Sequence, residues 1–327
     1  MAMSQSRFRY TFTIFIPTYN RAHLLPRAFA SIERQGECCF EVLIVDDGST
    51  DNSREVVTAW QDKVNFSVRY YYQPNQGKFA AHNVAIEKAR GFFIVILDSD
   101  DTLAPNALER LKRHWKEIPE AERHKFAGVE GLCAYLSNGK IAGDRFPEDV
   151  FDSNYLEVHH QLHLGGDKKN AIRTEVLREF PFPRFDGEKH IRESLVWNRM
   201  AHKYKFRYIN EIIQYIEYQP DGLSSGIFWR RVSNPNGFRV AHLEMVNNHS
   251  QYCSLMDLYK EASKYVRYSF HSRIPMVQQG VAIKNKMLWL LALPKGTINF
   301  LLDRLRMRKG FSPGFHRSSS RDTRNSP

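Results

Sequence analysis

Three carboxylates stand within four positions where the apolar run Phe92-Phe93-Ile94-Val95-Ile96-Leu97 gives way to Asp98-Ser99-Asp100-Asp101. Charges this close repel one another unless a cation or hydrogen-bond donors compensate them. Carboxylate oxygens suit Mg²⁺ or Mn²⁺, which bind through one or two carboxylates and complete their shell with substrate phosphates and water. The competing account of the same residues is a turn whose side chains cap a helix beginning near Pro105. A second apolar run, residues 41–45, ends in Asp46-Asp47-Gly48-Ser49-Thr50-Asp51, and a third, residues 10–16, ends in Pro17-Thr18-Tyr19-Asn20-Arg21. Tyr19 offers a flat face for stacking a base, and Arg21 a partner for phosphate.

The elements that must carry these groups follow from pattern. Residues 92–97 are short, β-branched and aromatic after Gly91, which reads as a strand buried on both faces of a parallel sheet. Residues 41–45 read the same way and lead into a helix with Val56, Val57 and Trp60 on one side. The strand at 10–16 precedes a helix with Leu24, Leu25, Ala28, Phe29 and Ile32. Three strand-turn-helix units within a hundred residues predict a βαβ layer, with its polar groups at the sheet edge where α/β proteins bind ligands.

These residues also carry a resemblance. The ordered set Phe15-Ile16-Pro17-Thr18-Tyr19-Asn20-Arg21, Val45-Asp46-Asp47-Gly48-Ser49-Thr50-Asp51, Asn75-Gln76-Gly77-Lys78 through Asn83, Ala89-Arg90-Gly91, and Leu97-Asp98-Ser99-Asp100-Asp101 is similar to the motifs of glycosyltransferase family 2. It covers roughly the first 115 residues strongly and the next hundred more weakly. The resemblance implies an α/β fold of GT-A type, Rossmann-like, with a mostly parallel central sheet flanked by helices. It implies a nucleotide-diphosphate sugar donor, most often UDP-linked, a divalent metal, Mn²⁺ or Mg²⁺, and transfer with inversion. Carried over, Pro17, Thr18 and Tyr19 line the base pocket, Asp47 or its neighbour Asp46 bonds the base, and Asn75 and Lys78 pass beneath the sugar and diphosphate. Asp98 lies toward the ribose and donor sugar beside Ser99, Asp100 is the metal ligand, and Asp101 supports it or contacts the donor sugar. Lys78-Phe79-Ala80-Ala81-His82 departs from the small residues and Arg that relatives commonly place there.

Transfer also needs a base, because an acceptor hydroxyl is a poor nucleophile at neutral pH. The stretch Phe185-Asp186-Gly187-Glu188-Lys189-His190-Ile191-Arg192-Glu193 precedes a helical run with Leu195, Val196, Trp197 and Met200, and puts Glu193 at the helix entrance. The resemblance assigns the base to Glu193, with Glu188 and Asp186 as alternates. The Glu-Asp pair common in relatives is Glu193-Ser194 here. An acid in a helix's first turn is also ordinary N-terminal stabilisation.

Composition agrees with one large α/β core and a helical annex: 327 residues, 42% hydrophobic and 13% aromatic. The expected division is a GT-A domain at 8–225 (donor binding at 8–115, acceptor side and base at 116–225), a basic helical extension at 226–311, and a disordered tail at 312–327. Cys38-Cys39, Cys133 and Cys253 show no disulfide framework or metal-ligand spacing and fit a reducing cytoplasm. The polar, basic first ten residues do not read as a signal peptide. His159, His160 and His163 lack a third ligand set and read as a surface helix or acceptor loop rather than a zinc site.

In the extension, residues 287–293 and 298–302 are apolar, interrupted by Pro294 and Lys295, and each piece is far below the ~20 residues that span a bilayer. Followed by Arg304, Arg306, Arg308 and Lys309, they predict a basic amphipathic element on an anionic membrane surface, peripheral on the inner face of the plasma membrane, the competing account being a core-packing helix with a solvated basic end. The expected function is hexosyl or N-acetylhexosaminyl transfer to a glycan or lipid-linked acceptor in cell-surface polysaccharide or glycolipid assembly. A non-catalytic nucleotide-sugar-binding subunit is the alternative. A nucleic-acid-binding protein is the weaker one: the net charge of +11 suits it, but no nucleic-acid motif accompanies that charge.

Overall fold

The computed structural model describes residues 8–36, 39–219 and 226–309. Three βαβ steps come first: β1 (Tyr10–Thr18), α1 (Leu25–Glu33), β2 (Phe40–Asp46), α2 (Ser53–Gln61), β3 (Ser67–Tyr72), α3 (Lys78–Lys88) and β4 (Gly91–Ile96). β5 (Thr102–Leu103), α4 (Ala107–Glu117), β6 (Phe126–Tyr135), β7 (Val150–Ser153), β8 (Lys168–Arg173), α5 (Thr174–Glu179), α6 (Ser194–Met200) and β9 (Lys205–Ile216) follow. The extension is helical: α7 (Ile227–Ser233), α8 (Pro235–Asn248), α9 (Leu255–His271), α10 (Met276–Ala282) and α11 (Lys286–Arg308).

All nine strands form one sheet, in the order β3-β2-β1-β4-β8-β6-β9-β5 with β7 on β9. The β3-β2-β1-β4 half is wholly parallel, its strands β1, β2 and β4 are covered on both faces, and β2 is buried at all seven positions. Alternation then splits the core. Phe12, Ile14, Ile16 and Ile44 pack with α1, α2 and α4 on one side, while Phe15, Leu43, Val45 and Ile96 pack with α3, α5 and α6 on the other. Truncating such a side chain to Ala costs roughly 2–5 kcal/mol. Beyond β4 the sheet is mixed, because β8 runs antiparallel to both β4 and β6.

Parallel pairing brings the C-terminal ends of β1, β2 and β4 to one edge, with Thr18 opposite Asp46 and Phe15 opposite Ile96. At the other end the buried Glu41 carboxylate accepts from Thr13 Oγ1 (2.8 Å) and the Arg90 amide (2.7 Å), which fixes the three strands in register.

The extension corrects one expectation. Pro294 does not divide the last apolar segment: α11 runs through it for 23 residues, about 34 Å. Proline leaves the carbonyl one turn earlier without its donor, and both Pro294 and Leu290 lie on an exposed face of the helix. Among the described residues, no helix is long and apolar enough to cross a membrane. The tail at 312–327 and Cys38 lie outside the described residues.

Candidate functional site

The strand ends open onto a cavity of about 970 Å³. Of the residues singled out by sequence, Pro17, Thr18, Tyr19, Arg21, Asp47, Asn75, Lys78, Asp98, Ser99, Asp100, Asp101 and Glu193 line it, whereas Asp46, Asp186 and Glu188 do not.

The β1 and β2 loops hold each other. Asn20, in a left-handed conformation at φ 53°, accepts from the Thr50 amide (2.7 Å), and its own amide donates to Ser49 Oγ (2.8 Å). That leaves Tyr19 beside the cavity and half exposed, and Thr18 Oγ1 buried without a partner among the described residues. The adjacent acids Asp46 and Asp47 divide sharply. Asp46 turns inward, accepting from the Ser49 amide (2.7 Å) and the Tyr70 hydroxyl (2.6 Å). Asp47 faces the cavity side and accepts from the amides of Gln76 (2.9 Å) and Gly77 (2.7 Å) and from Gln73 Nε2 (2.6 Å). It thereby fixes the loop that leads into α3.

Lys78, the first residue of α3, carries the central ion pair. Its ammonium is 2.7 Å from Asp98 and 3.5 Å from Glu193. Burial opposes the ammonium's charge, but Asp98 and Glu193 outweigh burial and hold it above its ordinary value. Burial likewise opposes ionisation of Asp98, yet Lys78 and then Lys169 hold its carboxyl well below the usual carboxylate range.

The neighbouring acids behave oppositely. Burial, reinforced by the Asp98 charge, raises the Asp100 carboxyl, and the same two causes push Asp101 up to about 7. Asp101 is nearly enclosed and accepts from Gln214 Nε2 (2.6 Å) and the Glu217 amide (3.3 Å), so its oxygens are already used. Asp100 is held through its backbone, whose carbonyl accepts from Arg27 of α1 while Arg27 also pairs with Glu217 (2.6 Å). Its carboxylate faces the cavity, which makes it the acid best placed to hold a cation. Among the described residues, no three His, Cys, Asp or Glu side chains could hold a metal by themselves. A divalent ion would therefore take oxygens from phosphate and water as well, as Mg²⁺ and Mn²⁺ commonly do.

Across the cavity, Glu193 is the N-cap residue of α6, whose Leu195, Val196 and Trp197 are buried. Its loop is pinned from the extension: Asn234 Oδ1 accepts from the amides of Lys189 (2.7 Å) and His190 (3.0 Å). Glu188 accepts from the amides of Asn236 (2.7 Å) and Gly237 (3.0 Å), satisfying the first turn of α8. Asp186 is exposed outside the cavity. The loop closely approaches the segment that carries Lys78. Gly77 has φ 94°, and a Cβ there would stand 2.0 Å from the Lys189 carbonyl oxygen.

His82 lies in the core among Phe15, Phe79 and Phe182, its ring kept neutral by burial and by the charge of Lys78. His159 packs against Tyr155 with ring centres 4.0 Å apart and the rings tilted by 39°. Several wall residues carry no signal in sequence. Gln214 sits in an ordinary strand, and Arg230, Arg231, His242 and Lys264 come from the extension, where motifs are thin.

Residues 13–159 match the family model described as glycosyl transferase family 2. An uncharacterized glycosyltransferase of Nostoc sp. is 39% identical over 171 residues, which cover 52% of this chain and 53% of that protein. The chain thus spans about half the length of that curated relative. Among solved structures, S. aureus TarS 1-349 in complex with UDP-GlcNAc superposes with a TM-score of 0.60 at 19% identity, over 92% of each chain. The mannosyltransferase PcManGT from Pyrobaculum calidifontis, in complex with GDP-Man and Mn²⁺, gives 0.52 at 19% identity, over 91% of this chain and 88% of that one. At such identities these two superpositions speak for the fold, a mixed α/β sheet flanked by helices of the GT-A kind. Over residues 13–159, under half of its length, the chain is thus similar to glycosyl transferase family 2.

Proposed function

We propose that this protein transfers a sugar, a hexose or N-acetylhexosamine, from a UDP-linked donor to a hydroxyl of a glycan or lipid-linked acceptor, with inversion. Cell-surface polysaccharide or glycolipid assembly on the cytoplasmic side of the membrane is the setting. The observation that carries the proposal is the gathering of Asp47, Lys78, Asp98 and Asp100 with Glu193 on one cavity. Relatives' ligands lend support: the TarS structure is a UDP-GlcNAc complex and PcManGT a GDP-Man and Mn²⁺ complex.

In this scheme Pro17, Thr18 and Tyr19 take the base, and the buried, unpartnered Thr18 Oγ1 is a group that a nucleotide would satisfy. Asp47 contributes by holding the loop of Asn75 and Gly77. Asp98 and Ser99 lie toward ribose and sugar, and Arg21 toward phosphate. Asp100 holds Mn²⁺ or Mg²⁺, which when bound offsets charge on the leaving diphosphate. Glu193 accepts the acceptor's proton as its oxygen bonds the anomeric carbon and the bond from that carbon to the diphosphate breaks on the opposite face.

The test is thermal stabilisation by a panel of nucleotide sugars in the presence of Mn²⁺, followed by transfer assays with the donor that binds. A ligand at a hundredfold excess over its Kd stabilises by about 2.7 kcal/mol, a readily measured shift. Stabilisation without transfer to any glycan or lipid-linked acceptor would support the non-catalytic subunit instead. No shift with any donor would overturn the proposal.

A further inference from the structure

The last helix is apolar on two opposite sides. Its inward side packs on α9: Ala292 is fully buried, a Cβ on Gly296 would stand 2.6 Å from Val266, and the enclosed Asp303 pairs with Arg267 and His271. Its outward side shows Met287, Leu290, Leu291, Ile298, Leu301, Leu302 and Leu305, each more than half exposed. Their spacing of three and four residues draws them into one stripe along the helix. Neighbouring α10 lies against Trp289, which a Cβ on Gly280 would meet at 3.0 Å, and adds Val277 and Val281, 79% and 76% exposed. Contiguous apolar exposure of this kind marks an interaction surface.

Charge identifies the occupant. At about 100° per residue, the stripe covers about a third of the helix circumference, with Lys286 and Arg304 flanking one side and Lys295 and Arg306 the other. Arg308 and Lys309 close its end, and Lys284 lies between the two helices. Between residues 272 and 309 the only acid is Asp303, and it is buried against α9. A second copy docked through the same face would meet like charge with no exposed acid to offset it. An anionic bilayer supplies both complements, acyl chains for the apolar stripe and headgroups for the flanking cations.

We propose that the α10–α11 face lies in the plane of an anionic phospholipid interface, apolar stripe inward and Lys/Arg flanks at the headgroups. The inference concerns the helical extension alone and does not rest on sugar transfer. The test is sedimentation of the full chain with phosphatidylcholine vesicles, with and without phosphatidylglycerol. The wild type is expected to bind the mixed vesicles, to ignore phosphatidylcholine alone, and to be released by salt. Leu291→Asp with Ile298→Asp, and separately Arg304→Glu with Arg308→Glu, are each expected to weaken binding tenfold or more, with unchanged melting temperatures because all four side chains are exposed. Wild type that fails to bind the mixed vesicles overturns the proposal, as does unaltered binding by folded variants. A concentration-dependent dimer dissolved by the Leu291 and Ile298 substitutions would also overturn it, giving the face to a second copy.

Discussion

Lys78 Nζ lies 2.7 Å from Asp98 Oδ1, so the first residue of α3 neutralises the first acid after β4. Removing the ammonium leaves Asp98 beside Asp100 and Asp101 with its nearest counter-charge gone. Lys78→Met is expected to lose about 1–3 kcal/mol of stability, and transfer is expected to fall at least a hundredfold. Chemical denaturation and single-turnover transfer check the two parts. Near-normal turnover in the Met variant would show that the pair is dispensable.

The proposed scheme makes Glu193 the base and Glu188 a scaffold residue. Glu193→Gln is expected to keep donor-induced thermal stabilisation while turnover drops by about 10²–10⁴. Glu188→Gln weakens acceptance from the Asn236 and Gly237 amides and is expected to lower the melting temperature with a much smaller change in kcat. If Glu188→Gln abolishes turnover and Glu193→Gln does not, the base has been misassigned.

Asp100→Ala is expected to abolish the extra stabilisation that Mn²⁺ gives in the presence of the nucleoside diphosphate, because its carboxylate is the one left facing the cavity. Asp101→Asn should retain that metal response, since its oxygens are taken by Gln214 and the Glu217 amide. Titration calorimetry of both variants with Mn²⁺ and UDP distinguishes them.

A pH prediction comes from the other half of the sheet. Burial pushes the Glu130 carboxyl up to about 6, though it accepts from Asn170 Nδ2 at 2.9 Å. A raised carboxyl binds its proton more tightly when folded, so its stabilising share is complete below the unfolded value of about 4.3 and disappears as pH rises through 6. Glu130→Gln should therefore remove this fall, which is on the order of 2 kcal/mol, and melt higher than wild type at pH 8 but not at pH 4. Equal differences at the two pH values would rule out Glu130 as the source.

The donor edge was legible in sequence because strand burial and turn chemistry are local. Residues 92–97 and 41–45 could only be doubly covered strands, and parallel pairing then brings Asp47 and Asp98 to the same edge. Asp46 and Asp47 could not be separated in advance, because which carboxylate turns inward depends on Tyr70, twenty-four residues away on β3. The anchoring of Glu188 by the amides of α8 is likewise a contact between distant segments. Pro294 misled for the opposite reason. A local rule against proline inside helices yielded to the packing of Ala292, Gly296 and Asp303 on α9.

The close approach of Gly77 to the Lys189 carbonyl couples the two sides of the cavity mechanically. With no room for even a methyl group, the loop carrying Lys78 and the loop carrying Glu193 share a fixed spacing at that point. A loop grafted from a relative in place of residues 185–193 would have to present its backbone to residue 77 at the same depth, or the segment carrying Lys78 would shift with it.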